Sequence, residues 1–138
     1  EVALAVKKPL MIHCRDAYDD LLEILKNFSG VRGNIHFFVG DWTTAKKFLD
    51  LNFTLSFTGV LTFTHDYDEV VKNMPLDKIM VETDCPFVAP APYRGKRNEP
   101  AYLPAIIESM AKIKGLSVEQ VSQATMENAR TLFGLALP

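Results

Sequence analysis

Four short runs of apolar and β-branched residues recur along the chain, each followed by a polar turn and an amphipathic stretch. They cover residues 9–14, 34–39, 53–57 and 78–83, so their starts lie 19 to 25 residues apart. That spacing is typical of βα units, and a helix that joins two strands makes their pairing parallel. The sequence therefore predicts an α/β fold, either a barrel or a doubly wound sheet.

The amphipathic stretches predict the helices of these units. Asp41 is an expected N-cap, and Ser117 with Gln120 fits a capping box. Gly115 and Gly134 fit C-terminal stops. A long irregular segment rich in Pro and Gly separates the fourth strand from the last helices. Helices are expected at 17–27, 41–51, 66–73, 102–114, 117–123 and 126–133, and residues 1–8 resemble the end of a further helix.

Four parallel strands make a small sheet, whose two outer edges need protection. A closed barrel has eight strands and takes roughly 250 residues, whereas the chain has 138. We therefore expect a single domain, residues 1–138, that supplies half of such a barrel. The chain is then a fragment or a short form of a longer protein.

Composition excludes several classes of protein. Hydrophobic residues make up 48% and charged residues 23%, which is typical of a folded domain and not of a disordered chain. A net charge of −2 argues against bulk electrostatic binding to nucleic acid or membranes, so an anionic partner needs a local site. No apolar run reaches the ~20 residues of a membrane span, and residues 1–8 lack the pattern of a secretory signal. With only two, widely separated cysteines, Cys14 and Cys85, we expect a cytoplasmic location.

Side chains with metal-binding chemistry follow three of the four predicted strands. His13 follows the first, His36 lies near the end of the second, and Asp84 follows the fourth. The carboxyl ends of parallel strands meet at one edge, and two imidazoles with a carboxylate suit Zn²⁺ or Mn²⁺. Each residue alone has a structural explanation too, as a hydrogen-bonded core histidine or as the turn residue before Pro86. Their repetition at the same point of three units favours a metal site.

Some polar and aromatic residues near these positions have two interpretations. Glu82 has the strand parity of Asp84, so it either supports a metal ligand or forms an ion pair with a lysine or arginine. Phe38 and Trp42 either stack a base or, more simply, pack in the core. His65 is expected at a helix start and not among the ligands.

The proline-rich segment 86–100 carries a group of cations that includes Arg94 and Arg97. It is either a phosphate clamp beside the predicted metal site or a solvated surface loop, and its length favours a functional loop. Arg15 either reaches the same anion or pairs with a neighbouring aspartate.

Six ordered motifs run along the chain: PLMIHCRDA at 9–17, HFF at 36–38, SFTG at 56–59, ETDCP at 82–86, PxPxRGxxNxP at 90–100 and NAxxLF at 128–133. Together these motifs resemble those of the TatD-type metal-dependent deoxyribonucleases. The resemblance runs over essentially the whole chain and implies a TIM-type barrel of the amidohydrolase superfamily, with divalent metal ions (Mg, Mn or Zn) and hydrolysis of phosphodiester bonds in DNA.

The resemblance also implies roles for individual residues. His13 and His36 would be metal ligands, and Asp84 would be a ligand that also helps to deprotonate the attacking water. Arg15 and Arg94 would help to orient the phosphate.

Two features of the family are absent from this sequence, namely a His-x-His pair on the first strand and a bridging glutamate on a later one. The resemblance therefore implies the C-terminal half of the barrel, and we expect the chain alone to be a weak or inactive enzyme. Full activity would need the missing half or self-association. The alternatives are another metal hydrolase of the superfamily, such as an aminoacyl-tRNA deacylase, and a binding module that keeps the fold without catalysis.

Overall fold

The computed structural model of the chain describes residues 1–136 and confirms the α/β prediction. Its strands are β1 Leu10–His13, β2 Gly33–His36, β3 Thr54–Phe57 and β4 Ile79–Val81. They form one sheet of four strands in the order β1-β2-β3-β4, with every pairing parallel. A doubly wound sheet reverses its strand order at a switch point, and this sheet does not. The arrangement is that of consecutive units of a barrel.

Local sequence signals explain where most helices begin and end. The Asp41 carboxylate accepts a hydrogen bond from the Thr44 N–H at 2.7 Å, and Ser117 forms the predicted capping box with Gln120. Gly115 and Gly134 end their helices in the left-handed conformation, with φ of 67° and 66°. The helices are α1 Val2–Ala5, α2 Tyr18–Lys26, α3 Trp42–Asp50, α4 Asp68–Asn73, α5 Leu103–Lys114 and α6 Val118–Phe133.

The predicted pair of helices at 117–123 and 126–133 is wrong, because α6 is continuous through both. Thr125 lies at the expected break and is 4% exposed. Its hydroxyl donates to the Val121 carbonyl, at 2.9 Å, within the same helix. A threonine that bonds back in this way is satisfied inside a helix, and the stretch contains no Gly or Pro to interrupt it.

One face of the sheet is apolar and is covered by the helices. Ile35 and Leu55 are register partners, as are Leu55 and Ile79, and all three are fully buried. Phe38 lies fully buried in this core and Trp42 packs against it, so the core interpretation of both aromatics is confirmed. Burying one such large side chain contributes roughly 1.5–3 kcal/mol, and this layer fixes the strands beneath the site.

The opposite face carries polar residues, and strand register brings them together. Met11 pairs with Asn34, which pairs with Thr54, and His13 pairs with His36. Side chains at register partners of a parallel sheet project to the same face. Within residues 1–136, no helix is both long and apolar enough to cross a membrane. Of the predicted domain 1–138, residues 137–138 lie outside the described part.

Candidate metal centre

The two predicted histidine ligands lie side by side at the carboxyl edge of the sheet. His13 and His36 end β1 and β2 as register partners, and their ring centroids are 5.7 Å apart. His13 is exposed, whereas the His36 side chain retains 18% of its accessible surface. The predicted meeting of these imidazoles follows directly from the parallel pairing of their strands.

The imidazole of His36 lies between two carboxylates. Its Nδ1 is hydrogen-bonded to Glu82 Oε2, and its Nε2 lies 3.4 Å from Asp84 Oδ1. When Nδ1 carries the proton donated to Glu82, Nε2 of the neutral ring has a free lone pair on the side of Asp84. The structure therefore brings together an imidazole nitrogen and a carboxylate oxygen at one point, with His13 as their neighbour.

Glu82 is fixed by polar groups and not by a lysine or arginine. Its Oε1 accepts hydrogen bonds from the Phe37 N–H, at 2.8 Å, and from the Ser56 hydroxyl. Ser56 Oγ in turn accepts from Asn34 Nδ2 at 2.7 Å, and Asn34 Oδ1 accepts from Thr54 Oγ1 at 3.0 Å. We call Thr54, Asn34, Ser56, Glu82 and His36 the inner polar chain.

The supporting members of the inner polar chain were not predicted from the sequence. Asn34, Thr54 and Ser56 are 1%, 7% and 2% exposed, and buried polar groups need such partners. Their signal was present, because Thr54 and Ser56 alternate with apolar residues in a strand of otherwise buried character. Polar residues at that parity indicate that the inner face is polar.

Asp84 occupies a turn, and its carboxylate lies beside His36. Its backbone has φ of 54°, and its carbonyl accepts from the Phe87 N–H at 3.0 Å. Phe37, which directly follows His36, has φ of 49°. Left-handed backbone is unusual for residues other than glycine and often marks functional sites.

Asn98 holds the backbone on both sides of Asp84. It is 1% exposed, and its Nδ2 donates to the carbonyls of Thr83 and Phe87, each at 2.6 Å. Its own N–H donates to the Pro86 carbonyl at 3.0 Å. Asn98 belongs to the segment 86–100, so its hydrogen bonds fix this loop against the residues around Asp84.

Gly59 lets the same loop approach the end of β3. A Cβ on Gly59 would lie 2.4 Å from the Val88 carbonyl oxygen and 3.0 Å from Pro90 N. Only a glycine fits at that distance, since real Cβ atoms do not come so near to backbone atoms.

The two arginines predicted to contact phosphate lie at different places. Arg94 is exposed, with Cζ 3.8 Å from the centroid of the Phe63 ring and Nη1 donating to the Ala89 carbonyl at 3.0 Å. Arg15 Nε lies 3.9 Å from Asp16 Oδ2, and both side chains are largely exposed. Such an exposed ion pair contributes little to the stability of the fold. A phosphate role for either arginine stays a prediction.

Two further side chains near the site carry no ligand geometry. His65 Nδ1 lies 2.9 Å from Asp68 Oδ2 at the start of α4, with 95% of the His65 side chain exposed. Its predicted place at a helix start is confirmed. Burial raises the pKa of the Cys14 thiol, which therefore stays protonated at neutral pH.

The donors at this edge fit a divalent cation in kind, but they form only part of a complete set. Imidazole nitrogen and carboxylate oxygen are ligands of Zn²⁺ and Mn²⁺, and the support of His36 by Glu82 is typical of metal-binding histidines. Across residues 1–136, no group of three or more His, Cys, Asp or Glu side chains is already placed around one point.

Comparison with known proteins finds a matching family and similar proteins. A family profile described as "TatD related DNase" matches residues 1–134. The metal-dependent hydrolase YabD of Bacillus subtilis is 43% identical over 139 residues, which are 96% of this chain and 54% of YabD. A protein of Klebsiella pneumoniae named 3'-5' ssDNA/RNA exonuclease TatD is 33% identical, over 98% of this chain and 56% of its own length.

Comparison with solved structures finds a protein of similar fold. The crystal structure of YjjV, a TatD homologue from Escherichia coli, superposes with a TM-score of 0.89 at 23% identity, covering 98% of this chain and 53% of YjjV. At that identity the likeness shows the fold. The chain spans about half the length of the curated relatives it matches.

Proposed function

The chain belongs to the family of TatD-related DNases, and we propose that it serves in the divalent-metal-dependent hydrolysis of phosphodiester bonds in DNA. The observation that carries this proposal is the placement of His36 between Glu82 and Asp84 at the carboxyl edge of the sheet. The exonuclease name of the Klebsiella relative supports a nucleic acid as the substrate.

The residues of this chain would have distinct tasks. His13, His36 and Asp84 would hold the cation, which when bound lowers the pKa of water and neutralises charge on the phosphate. Glu82, hydrogen-bonded to His36 Nδ1, would keep the proton of the ring on that nitrogen and so leave Nε2 free. Asp84 would accept the proton of the attacking water, because its carboxylate lies at the same edge.

Two cationic side chains would bind the phosphate. Arg15 and Arg94 would orient the phosphate, since a guanidinium pairs with two phosphate oxygens at once. Arg15 follows His13 by two residues, and within residues 1–136 its one ion pair is the weak one with Asp16, so it is available to an anion at little cost.

We further propose that the domain 1–138 supplies the C-terminal half of a TatD-type barrel. The order of its four parallel strands supports this, as does the half-length match to the relatives. The remaining donors would then come from a further segment or from a second copy of the chain. The cytoplasmic location stays a prediction.

The test is a cleavage assay of end-labelled single-stranded DNA with Mn²⁺, Mg²⁺ or Zn²⁺, run over a range of protein concentrations with light scattering in parallel. We expect weak cleavage that EDTA abolishes and that His36→Ala and Asp84→Asn reduce by roughly 100-fold or more. His65→Ala is the matched control, because His65 lies outside the site, and it should cleave normally.

Three results would contradict the proposal. Cleavage that persists in EDTA, or that His36→Ala leaves intact, would come from another site or a contaminant. Hydrolysis of aminoacyl-tRNA without any cleavage of DNA would favour the deacylase alternative. Cation binding without hydrolysis, at concentrations where light scattering shows self-association, would favour a binding module.

A further inference from the structure

A cavity of about 450 Å³ opens beside the candidate metal centre. Loops that follow β1, β2, β3 and β4 all contribute to it, so it lies at the same carboxyl edge as His36 and Asp84. Its walls combine aromatic, aliphatic, cationic and acidic side chains, among them His13, Arg15, Asp16, Phe37, Tyr67 and Val88.

The walls of this cavity are held in place before any ligand binds. The Phe37 N–H donates to Glu82 Oε1 at 2.8 Å, and the Val39 N–H donates to the Tyr18 hydroxyl at 3.1 Å. The Phe37 ring stands nearly perpendicular to the His36 ring, at 83° with centroids 6.2 Å apart. The aromatic wall is thereby tied to the residue at the centre of the metal site.

Backbone strain is concentrated around the same cavity. Six non-glycine residues of the described chain have positive φ, and three of them, Asp16, Phe37 and Val88, line it. This conformation is least expected for β-branched and bulky residues such as Val88 and Phe37. Strain of this kind persists where the surrounding structure imposes it, which is characteristic of binding sites.

We propose that this cavity receives a nucleobase of the strand whose phosphate lies at the candidate metal centre, an inference that rests on the proposed function. Aromatic faces such as those of Phe37 and Tyr67 stack any base, because every base has a π-face. His13 belongs both to the cavity wall and to the candidate ligands, so base and phosphate would occupy adjoining positions. Arg15 supplies a cation on the same wall for the backbone that joins them.

The test measures base binding separately from cleavage. The chain is titrated into a short single-stranded oligodeoxynucleotide with a terminal 2-aminopurine, whose fluorescence falls on stacking, and into a matched strand with an abasic terminus, followed by anisotropy. Both titrations are run in EDTA and in Mg²⁺. We expect quenching and about tenfold tighter binding of the strand that has its base, which corresponds to a modest stacking energy.

Variants locate the effect in the cavity. Phe37→Leu keeps an apolar side chain but removes the ring, so it should weaken binding of the base-containing strand by about tenfold and leave abasic binding unchanged. Phe87→Leu is the matched control, because Phe87 is a 68% exposed aromatic that is not in the cavity wall.

The outcomes separate this inference from the proposed function. Base-dependent binding that needs Phe37, without any cation-dependent cleavage, keeps the cavity assignment and contradicts the nuclease proposal. Cleavage with equal affinity for the base-containing and abasic strands overturns the cavity assignment alone. Binding of neither strand, or equal loss in Phe87→Leu and Phe37→Leu, also overturns it.

Discussion

The imidazole of His36 and the carboxylate of Glu82 are hydrogen-bonded although they are 46 residues apart in sequence and a whole strand lies between them. The contact is possible because the intervening residue on β3 is Ser56, whose small side chain leaves room and itself donates to Glu82. The partly buried carboxylate thus has hydrogen-bond partners on both of its oxygens. This relationship orients the ring that would bind a cation.

Replacing the carboxylate of Glu82 should weaken metal binding. Glu82→Gln keeps the shape of the side chain but replaces the carboxylate that is hydrogen-bonded to His36 Nδ1 with a neutral amide. We expect Mn²⁺ affinity, measured by calorimetry, to fall by about 10- to 100-fold, the usual effect of losing the partner of a metal-binding histidine. Glu69→Gln, on the exposed side of α4, should leave it unchanged. Equal Mn²⁺ affinity in Glu82→Gln and Glu69→Gln would mean that Glu82 does not support the metal site.

Removing the hydroxyl of Ser56 should destabilise the fold. Ser56→Ala leaves Asn34 Nδ2 and Glu82 Oε1 each short of a partner in a buried setting. The expected loss in the free energy of unfolding, from urea titration, is about 1–3 kcal/mol. Ser29→Ala, in an exposed turn, serves as the reference and should change stability by less than about 0.5 kcal/mol. An unaltered midpoint for Ser56→Ala would mean that the inner polar chain adds no stability.

Truncating Asn98 should loosen the loop that carries Asp84. Asn98→Ala removes the donor to the Thr83 and Phe87 carbonyls, at an expected cost of about 1–3 kcal/mol in unfolding free energy. Mn²⁺ affinity should fall as well, because Asp84 lies within the segment those bonds hold. Asn73→Ala, at the exposed end of α4, is the control. Lower stability with full Mn²⁺ affinity would show that Asn98 does not position Asp84.

A methyl group on Gly59 should displace the proline-rich loop. Gly59→Ala brings a Cβ to 2.4 Å from the Val88 carbonyl oxygen, and overpacking of this kind costs about 1–3 kcal/mol. Gly115→Ala is a useful comparison, since its Cβ has nothing within 4 Å but its φ of 67° is left-handed. Both variants should be less stable in thermal melts, yet only Gly59→Ala should lose Mn²⁺ affinity. Loss of Mn²⁺ affinity in neither variant, or in both, would contradict the claim that the close approach of the loop to Gly59 supports the site.

Features set by nearby residues were predictable from the sequence. The Asp41 cap, the Ser117 capping box and the left-handed stop at Gly115 each depend on a few adjacent positions, and all are present. The pairing of His13 with His36 was predictable too, because parallel strands of repeated βα units place equivalent positions side by side.

Features set by distant contacts were not predictable in the same way. The continuity of α6 depends on how Thr125 satisfies its hydroxyl, and the sequence around it allowed a break. The bonds from Asn98 to the backbone around Asp84 cross a loop whose path no local signal gives. The sequence left Glu82 either as the support of a metal ligand or as the partner of a lysine or arginine, and strand packing places it against Ser56 and His36.

The most direct measurement of the account is calorimetric titration of Mn²⁺ into the chain and into His13→Ala, His36→Ala and Asp84→Asn, with thermal melts to verify folding. A cation shared by these side chains predicts that each variant binds Mn²⁺ roughly tenfold more weakly or worse, while His65→Ala binds like the unmodified chain. Equal affinity in all of these proteins would contradict a shared cation at the carboxyl edge, and with it the nuclease proposal.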